Sequence, residues 1–401
     1  MGGTQRTACI FSTGCLSNLL EGTQLEQVLE KSGYSLTTQS KTADLIILNT
    51  CAFNQAKEDE AVKLIEKTAT GLRNGGRIVV CGCLPKINRD RLRSIHGGIT
   101  FGPRDMDDLP RFLADLLPVN NSVPGPISYT QYSSLKKTIF HTKRLVDTLP
   151  GLNRLPLIRR LTTPLFNYSA DVCCIKIATG CTGLCTYCAI KFAKGRCVSR
   201  PLMEIEDNKR LAIEQGYSKF ILVGDEITAY GSDLSANTDI IDVISLFLED
   251  DRVETLYLES FEPGFMITHR IQVMDILDRG KTPVFCSSVQ SGSDRILKLM
   301  GRRYEATDYL NGMIEIKRQF PLVYLRNEMI VGFPDETDDD YQKSLHLVDN
   351  LRADFINVYE YEDRPHTKAS RMPDKIPAEI KKRRRKKLLR QHYKNLFLRK
   401  R

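Results

Sequence analysis

Three cysteines near the middle of the 401-residue sequence are close enough together to bind one metal cluster. Cys181, Cys185 and Cys188 follow the pattern C-x3-C-x2-C. Soft thiolate ligands match iron–sulfur clusters, and cysteine runs of this kind commonly hold them. A 4Fe–4S cluster has four irons, so three thiolates leave one iron open for a substrate or a cofactor. The pattern therefore predicts a 4Fe–4S cluster with an open coordination site.

A zinc knuckle, or a plain structural role, is the alternative for the same three thiols. Structural zinc sites take four protein ligands, and the six residues that follow Cys188 include neither cysteine nor histidine. Cys197, nine residues beyond Cys188, is a weak candidate for a fourth ligand. The ligand count favours the iron–sulfur cluster.

The same motif resembles that of the radical S-adenosylmethionine (SAM) enzymes, which also carry an aromatic residue before the third cysteine. Here that residue is Tyr187. The resemblance implies that the open iron binds the amino and carboxylate groups of SAM, and that reduction of the cluster cleaves SAM to a 5′-deoxyadenosyl radical. We therefore expect Tyr187 to lie at the cofactor site.

The composition is that of an ordinary globular protein, with 41% hydrophobic and 27% charged residues. The sequence has no run of 18 or more apolar residues, and its N-terminus lacks the apolar region of a signal peptide. We therefore expect a cytoplasmic protein with no membrane partner. In that compartment the twelve cysteines are expected to be metal ligands and free thiols, because disulfides are rare there.

Positive charge is concentrated at the C-terminal end of the chain. Residues 381–401 carry twelve lysines and arginines and no acid, so subtracting twelve from the net charge of +9 leaves −3 for residues 1–380. Such a segment can neutralise phosphates or dock an acidic partner. A solvated basic helix end without a specific partner is the alternative.

The N-terminal third alternates strand-like and helix-like stretches. Apolar runs at residues 7–12, 43–49 and 77–81 indicate strands, and helical apolar spacing appears at residues 17–32 and 55–73. This alternation predicts a small parallel α/β sheet of the Rossmann or flavodoxin-like kind. Ligands of such sheets collect at the carboxyl ends of the strands.

Cys15, Cys51 and Cys83 each follow one of the three predicted strands. Three thiols that meet at one edge of a sheet could hold a second cluster. Cysteine is also commonly buried, and from the residues alone three buried thiols are the more frequent outcome.

Motifs around these cysteines resemble the three cysteine motifs of the radical SAM methylthiotransferases. The matching stretches are residues 14–18, 49–52 and 82–85. That family methylthiolates an adenosine of tRNA or an aspartate of a ribosomal protein. The resemblance implies that Cys15, Cys51 and Cys83 hold an auxiliary 4Fe–4S cluster, again with one iron open. It leaves packing roles for the remaining candidates, which are Cys9, Cys81, Cys173, Cys174 and Cys286.

Strand–helix alternation resumes after residue 171 and predicts a partial (β/α) barrel with its site at the C-terminal mouth. The predicted strands are residues 172–177, 219–223, 255–259, 284–289, 322–330 and 355–361. We therefore expect an N-terminal α/β domain (1–120), a linker (121–170), a radical SAM core (171–373) and a basic helical tail (374–401). The overall fold class is α/β.

Further motifs of the core, at residues 224–231, 290–304, 330–337 and 361–369, also resemble the methylthiotransferases. The strand-end positions of Gln290, Ser291 and Gly332 indicate contact with SAM. Tight turns and helix caps are the alternative roles for these motifs. Three further residues are candidates for orienting substrate or SAM, namely Asp225, Glu226 and Arg364.

The sequence departs from the family pattern at several places. Cys286 lies in a run that lacks the usual His and Pro, and the strand that contains Glu259 lacks the usual arginines. Glu328 stands where Asp is usual, and His366 replaces a usual Gly. After residue 373 only a basic helical segment follows, where the family usually has an RNA-gripping TRAM domain.

The resemblance implies that SAM methylates a sulfur of the auxiliary cluster and that a second SAM supplies the radical that activates a substrate C–H. The altered residues and the missing TRAM domain favour a peptide or protein side chain slightly, and a tRNA adenosine near the anticodon is the alternative. A radical SAM methylase and a non-catalytic iron–sulfur protein are weaker alternatives. The expected partners are the macromolecular substrate and an electron donor such as flavodoxin or ferredoxin.

Overall fold

The structure, a computed structural model, describes residues 6–106, 127–128, 171–235 and 237–398. The predicted linker lies outside the described residues, apart from a two-residue strand at Ile127–Ser128. Among the helices that the structure describes, none has both the length and the apolar character needed to cross a lipid bilayer.

The N-terminal domain is a parallel α/β sheet, as the sequence predicts. Its strands are β1 (Thr7–Ser12), β2 (Ser35–Leu36), β3 (Leu45–Thr50), β4 (Arg77–Gly82) and β5 (Ile99–Thr100), in the order β2-β1-β3-β4-β5. Its helices are α1 (Leu16–Lys31), α2 (Gln55–Thr70), α3 (Leu84–Ile87) and α4 (Arg89–Arg93). The central strand β3 is fully buried, which explains its continuous apolar run. The short edge strands β2 and β5 escaped the sequence analysis.

The second sheet is the predicted partial barrel. Its strands are β6 (Ile127–Ser128), β7 (Val172–Lys176), β10 (Lys219–Val223), β11 (Thr255–Phe261), β12 (Val284–Ser287), β13 (Tyr324–Val331) and β14 (Phe355–Glu360). They lie in the order β14-β13-β12-β11-β10-β7-β6, and all pairs are parallel except the antiparallel pair of β6 and β7. A separate antiparallel pair, β8 (Ala178–Thr179) and β9 (Val198–Ser199), lies on either side of the cysteine loop.

Helices connect the barrel strands. They are α5 (Ile190–Lys194), α6 (Leu202–Glu214), α7 (Ile240–Leu248), α8 (Pro263–Thr268), α9 (Arg270–Asp278), α10 (Asp294–Leu299), α11 (Ala306–Gln319), α12 (Asp338–Asn350) and α13 (Ala378–Leu398). Helix α5 packs against the N-terminal domain. The other helices contribute buried apolar residues to the largest core, together with strand residues such as Phe220 and Leu222.

The opposite face of the barrel sheet packs against the N-terminal domain. Side chains alternate along a strand, so Ile221 and Val223 of β10 point away from the helical core. They form a second apolar cluster with Leu20 of α1. Helix α1 therefore covers this face of the barrel sheet, and the helix and the sheet share an apolar core there.

The basic C-terminal segment is a helix whose one face packs on the barrel. Helix α13 contacts α12 and β14. Leu388 is fully buried, and Arg384 is buried with it. The Arg384 guanidinium donates to the Glu336 carboxylate at 2.7 Å and to the Asp338 carboxylate at 2.8 Å. A leucine and a buried arginine thus anchor a helix that the charge pattern alone describes as a solvated tail.

Gly332 follows β13 and lies against this helix. Its φ of +70° belongs to the left-handed region that favours glycine. A Cβ atom on Gly332 would come within 2.1 Å of Cγ of Lys381, near the start of α13. The glycine is therefore required for close packing of α13 as well as for the turn.

We expect Leu388→Ala to lower the free energy of unfolding by about 2–5 kcal/mol, because it leaves a cavity between α13 and the barrel. Urea unfolding followed by circular dichroism measures the change. Leu322→Ala is the matched control. Because Leu322 is 71% exposed, this substitution should lower the free energy of unfolding far less. Equal losses in the two variants would show that α13 does not pack as described.

A second prediction separates backbone strain from packing at Gly332. Gly280 has a similar φ of +69°, and a Cβ there meets nothing within 4 Å. Gly280→Ala should therefore lower the free energy of unfolding only by the strain of a left-handed backbone, about 1–2 kcal/mol. Gly332→Ala should lower the free energy of unfolding further, because the new Cβ also displaces Lys381. Equal costs in thermal unfolding would contradict the close contact between Gly332 and α13.

Candidate active site

The cysteine loop between β8 and α5 is held from several sides. Gly180 has a φ of +92°, and its N–H donates to the Asp225 carboxylate at 2.8 Å. Thr186 donates through its N–H to the Met300 carbonyl at 2.9 Å. The N–H of Ala369 donates in turn to the Thr186 carbonyl at 2.9 Å. These bonds tie the loop to three later segments of the barrel.

The three thiols of this loop line one pocket. Gly183 lies between the first two, since a Cβ placed on it would be 3.0 Å from Sγ of Cys181 and 3.6 Å from Sγ of Cys185. The Glu226 carboxylate is 2.5 Å from Sγ of Cys181. Burial raises the pKa of Cys181, and the nearby Glu226 charge raises it further. Burial also raises the pKa of Cys188. A cation or metal cluster would favour the thiolate forms at this site.

The pocket has a volume of about 840 Å³, within the usual range for small-molecule sites. Besides the three cysteines, Asp225, Glu226, Tyr187, Gln290 and Arg364 line it. Phe53 and Asn54 of the N-terminal domain also line it. The pocket therefore lies between the two domains at the carboxyl ends of the barrel strands, where the sequence predicts the site.

Gln290 lines this pocket and has an unpartnered polar atom among the described residues. Its backbone has a φ of +70°, and its N–H donates to the Glu328 carbonyl at 3.0 Å. The side chain is 7% exposed, and its Oε1 has no hydrogen-bond partner among the described residues. Leaving such an acceptor unpaired costs free energy. The residues present therefore fit a ligand that donates an N–H or O–H here, as SAM can.

Tyr187 lies at the same pocket and is fixed by an arginine. The Arg302 guanidinium donates to the Tyr187 hydroxyl at 2.8 Å. Arg302 also lies 3.5 Å from the Glu262 carboxylate. Burial raises the pKa of Tyr187 well above its usual value, so the hydroxyl is neutral. The sequence analysis assigned no role to Arg302 or Glu262, because nothing in the spacing shows that they meet Tyr187.

The structure places two predicted cofactor residues elsewhere. Ser291 is fully buried and accepts a hydrogen bond from the Ser293 N–H at 3.2 Å. Gly332 faces Lys381 of α13. Neither lines the pocket that the described residues form. Both residues shape turns at strand ends, and the strand-end position alone cannot distinguish a turn from a contact with the cofactor.

Arg364 has a structural role at the boundary between the domains. Its guanidinium pairs with the Glu58 carboxylate of α2 and donates to the Ala52 carbonyl at 3.0 Å and to Oε1 of Gln55 at 3.2 Å. Arg364 and Glu58 are both buried. Arg91 also pairs with Glu58, at 2.7 Å. The charge of Arg364 is thus largely satisfied by the N-terminal domain, although the side chain lines the pocket.

Cys15, Cys51 and Cys83 lie at the carboxyl edge of the N-terminal sheet. Gly14 has a φ of +105°, and a Cβ there would be 2.4 Å from the Cβ of Cys51, so the first two loops touch. The Cys83 N–H donates to the carbonyl of Thr50, the residue before Cys51, at 2.8 Å. The parallel sheet therefore brings together three thiols that are 36 and 32 positions apart in sequence.

Neither triad is arranged for a single metal ion. Within the described ranges, no group of three His, Cys, Asp or Glu side chains is gathered tightly enough to hold one ion. A 4Fe–4S cluster takes its ligands at separate corners and needs a wider spread. Cys197 is buried beside Ser199 and does not line the described pocket. Cys197 therefore does not supply the fourth ligand that a zinc knuckle at the loop of Cys181, Cys185 and Cys188 would need.

The remaining five cysteines, expected to have packing roles, are all buried. They are Cys9, Cys81, Cys173, Cys174 and Cys286. Burial raises the pKa of Cys286 to about 12, so this thiol is neutral inside the barrel.

Family models match two parts of the chain. Residues 7–102 match the uncharacterized protein family UPF0004, and residues 175–348 match the radical SAM superfamily. The first match spans the N-terminal sheet, and the second spans β10 to β13 of the barrel sheet but ends before β14. Each match contains one cysteine triad.

Curated relatives match almost the whole chain. The tRNA-2-methylthio-N(6)-dimethylallyladenosine synthases of Carboxydothermus hydrogenoformans and Fervidobacterium nodosum are 27% and 29% identical, and the alignments cover 96% and 95% of this chain and 83% and 81% of the relatives. The ribosomal protein uS12 methylthiotransferase of Geotalea uraniireducens is 29% identical, with 95% of this chain and 80% of that protein covered.

Solved structures share the fold. The radical SAM methyltransferase TsrM from Kitasatospora setae superposes with a TM-score of 0.61 over 92% of this chain and 77% of that chain, at 13% identity. The cobalamin-dependent radical SAM enzyme OxsB gives a TM-score of 0.54 over 96% of this chain and 56% of that chain. With a cysteine triad in each domain and a pocket between the domains, the chain resembles the curated methylthio-transferring enzymes over almost its whole length, and its barrel domain matches the radical SAM superfamily.

Proposed function

We propose that this protein is a radical SAM methylthiotransferase that modifies an adenosine of tRNA. In this proposal Cys181, Cys185 and Cys188 hold the cluster that binds SAM. The triad of Cys15, Cys51 and Cys83 holds the auxiliary cluster. When bound, the clusters and SAM supply the electron transfer, the radical and the sulfur of the reaction.

The chain's own residues position these groups and exclude water. Gln290 offers its unpartnered acceptor to SAM. Tyr187, fixed by Arg302, forms a rigid wall of the pocket. The rings of Phe53 and Tyr359 meet edge to face at 5.8 Å and join the two domains at the pocket. No side-chain acid or base is assigned, because the cofactors carry the bond-breaking steps.

The exposed cations of α13 are the main observation that supports a tRNA substrate. The helix is 21 residues and roughly 30 Å long. Arg385 lines the pocket and donates to the Val358 carbonyl at 2.9 Å. The cations that face solvent along the same helix are Lys382, Arg383, Lys386, Lys387, Arg390 and Lys394. A track of positive charge that starts at the pocket matches a polyphosphate backbone.

The charge inside the pocket points to the same substrate. Glu328 lines the pocket, with Ser288 donating to its carboxylate at 3.3 Å and the Tyr359 hydroxyl 3.5 Å away. An aspartate substrate would bring a second carboxylate toward Glu328, and like charges repel. The exocyclic N–H of adenine is a donor that this carboxylate can accept. Glu328 therefore favours a base over an acidic side chain.

A polypeptide substrate, which the departures from the family pattern favoured slightly, has less support. Two of the three relatives described above are named for a modified adenosine of tRNA, and one for a ribosomal protein. The exposed cations of α13 and the Glu328 carboxylate in the pocket agree with an adenosine of tRNA as the substrate.

We expect the anaerobically reconstituted protein to contain about eight irons, and the Cys15/Cys51/Cys83→Ala variant about four, because each triad ligates one four-iron cluster. Iron and acid-labile sulfide analyses measure both. The Cys181/Cys185/Cys188→Ala variant is the matched control and should also retain about four. A wild-type protein with only four irons would contradict the ligand assignment.

Lys382/Lys386/Arg390→Gln should weaken tRNA binding and reduce its dependence on salt. Each lost phosphate contact lowers the slope of log K against log salt by about 0.7, so three contacts remove roughly 2 from the slope. Fluorescence anisotropy over a salt series measures this. Lys63/Lys67/Arg77→Gln, which removes three exposed cations of the N-terminal domain, is the control of equal charge.

If the α13 variant keeps wild-type affinity and slope, the tRNA proposal loses its main support. Mass spectrometry of nucleosides and of peptides from reactions of the intact enzyme then decides between the substrates. A methylthio group on a peptide and none on tRNA would overturn the proposal.

A further inference from the structure

A lysine of the barrel domain is buried inside the N-terminal domain. Lys194 ends α5, the helix that follows the loop of Cys181, Cys185 and Cys188, and is 1% exposed. Its ammonium group donates to the Glu21 carboxylate of α1 at 2.5 Å and lies 3.4 Å from Oγ of Ser17. The Lys194 side chain therefore reaches from α5, which follows one triad, to α1, which begins directly after Cys15 of the other triad.

The position of Lys194 relative to the second triad follows from three contacts. Ser17 is in the first turn of α1, two residues after Cys15. Ala193 packs in the same apolar cluster as Cys83, and α5 contacts α3. The Arg104 guanidinium donates to the Lys194 carbonyl at 2.5 Å and fixes the backbone there. The ammonium group thus lies beside the edge where the three thiols of the N-terminal domain meet.

Lys194 shares its carboxylate partner with a second lysine. Lys176 also donates to the Glu21 carboxylate, at 3.1 Å. Although burial raises the pKa of Glu21, the two lysines outweigh it and hold the pKa below its usual value. The buried ammonium group of Lys194 and the partly exposed one of Lys176 therefore share one carboxylate. Excess buried charge is costly unless an anion compensates it.

Anions are available in Asp225 and in the thiolates of the second triad. Burial raises the pKa of Cys83 well above its usual value, and the charge of Lys194 opposes the increase. It opposes the increase in the pKa of Cys51 as well. Asp225 compensates part of the charge of Lys194, and a cluster held by the three thiolates would be a further anion beside it.

We propose that Lys194 is a positioning residue that raises the reduction potential of the auxiliary cluster. A fixed positive charge in a buried site stabilises the more negative, reduced form of a cluster more than the oxidised form. Because Lys194 lies on the helix that follows the SAM-cluster loop, docking of the two domains sets this potential. The inference rests on the proposed ligand role of Cys15, Cys51 and Cys83, and does not depend on the identity of the substrate.

Redox titration of the auxiliary cluster tests the proposal. The full chain with Cys181/Cys185/Cys188→Ala isolates the auxiliary cluster, and dithionite titration followed by electron paramagnetic resonance gives its midpoint potential. Adding Lys194→Met should shift the midpoint to a more negative value. At the original midpoint we expect roughly a tenfold smaller reduced-to-oxidised ratio, which corresponds to about 59 mV for one electron.

Two control variants separate charge from packing. Lys194→Arg keeps the charge and should retain the original potential. Lys176→Met removes the other partner of Glu21, which lies on β7 rather than on α5, and should shift the potential less. Equal potentials in Lys194→Met and the parent protein would overturn the proposal.

Iron content decides the remaining outcomes. Loss of the auxiliary irons in Lys194→Met but not in Lys194→Arg would support the need for the charge. Loss in both variants would show a packing role and overturn the proposal. The ligand assignment is tested separately. If Cys15, Cys51 and Cys83 do not hold a cluster, the Cys15/Cys51/Cys83→Ala variant would keep all the irons of the wild-type protein.

Discussion

Two buried carboxylates hold the sheets of this protein against each other, and the rest of the site depends on them. Glu21 of α1 binds Lys194 and Lys176 of the barrel domain, and Glu58 of α2 binds Arg364. Each carboxylate lies on the helix that directly follows a cysteine of the N-terminal triad. Removing one partner of such a buried pair leaves an uncompensated charge and costs several kcal/mol, roughly 3–5. These ion pairs therefore fix the orientation of the N-terminal triad relative to the triad of the barrel domain.

A third buried carboxylate links the barrel to the basic helix in the same way. Glu336 accepts hydrogen bonds from the Gly332 N–H at 2.7 Å and from the Arg384 guanidinium at 2.7 Å. The turn after β13 and the anchor of α13 are therefore one hydrogen-bonded unit. This places the exposed cations of α13 at a constant position relative to the pocket, which a flexible tail would not do.

Much of the fold could be predicted because its signals are local. The alternation of apolar runs and helical spacing gave two parallel sheets, and the chemistry of thiolates gave the cluster loop around Cys185. The site was harder to predict. Ser291 and Gly332 lie at strand ends, as expected, but they shape turns away from the pocket. Arg302 was missed because its partners Tyr187 and Glu262 are distant in sequence.

The sequence by itself predicted the α/β class and the triad of Cys181, Cys185 and Cys188, because residue type and short spacing encode them. The triad of Cys15, Cys51 and Cys83 was predicted only through the resemblance to the methylthiotransferases. The tertiary structure alone decided how the parts meet. It made Arg364 an interface residue, turned the basic segment into an anchored helix, and placed Lys194 beside the other domain's thiols. Such pairings join residues more than 40 positions apart, and they depend on sheet order and burial, which no local pattern records.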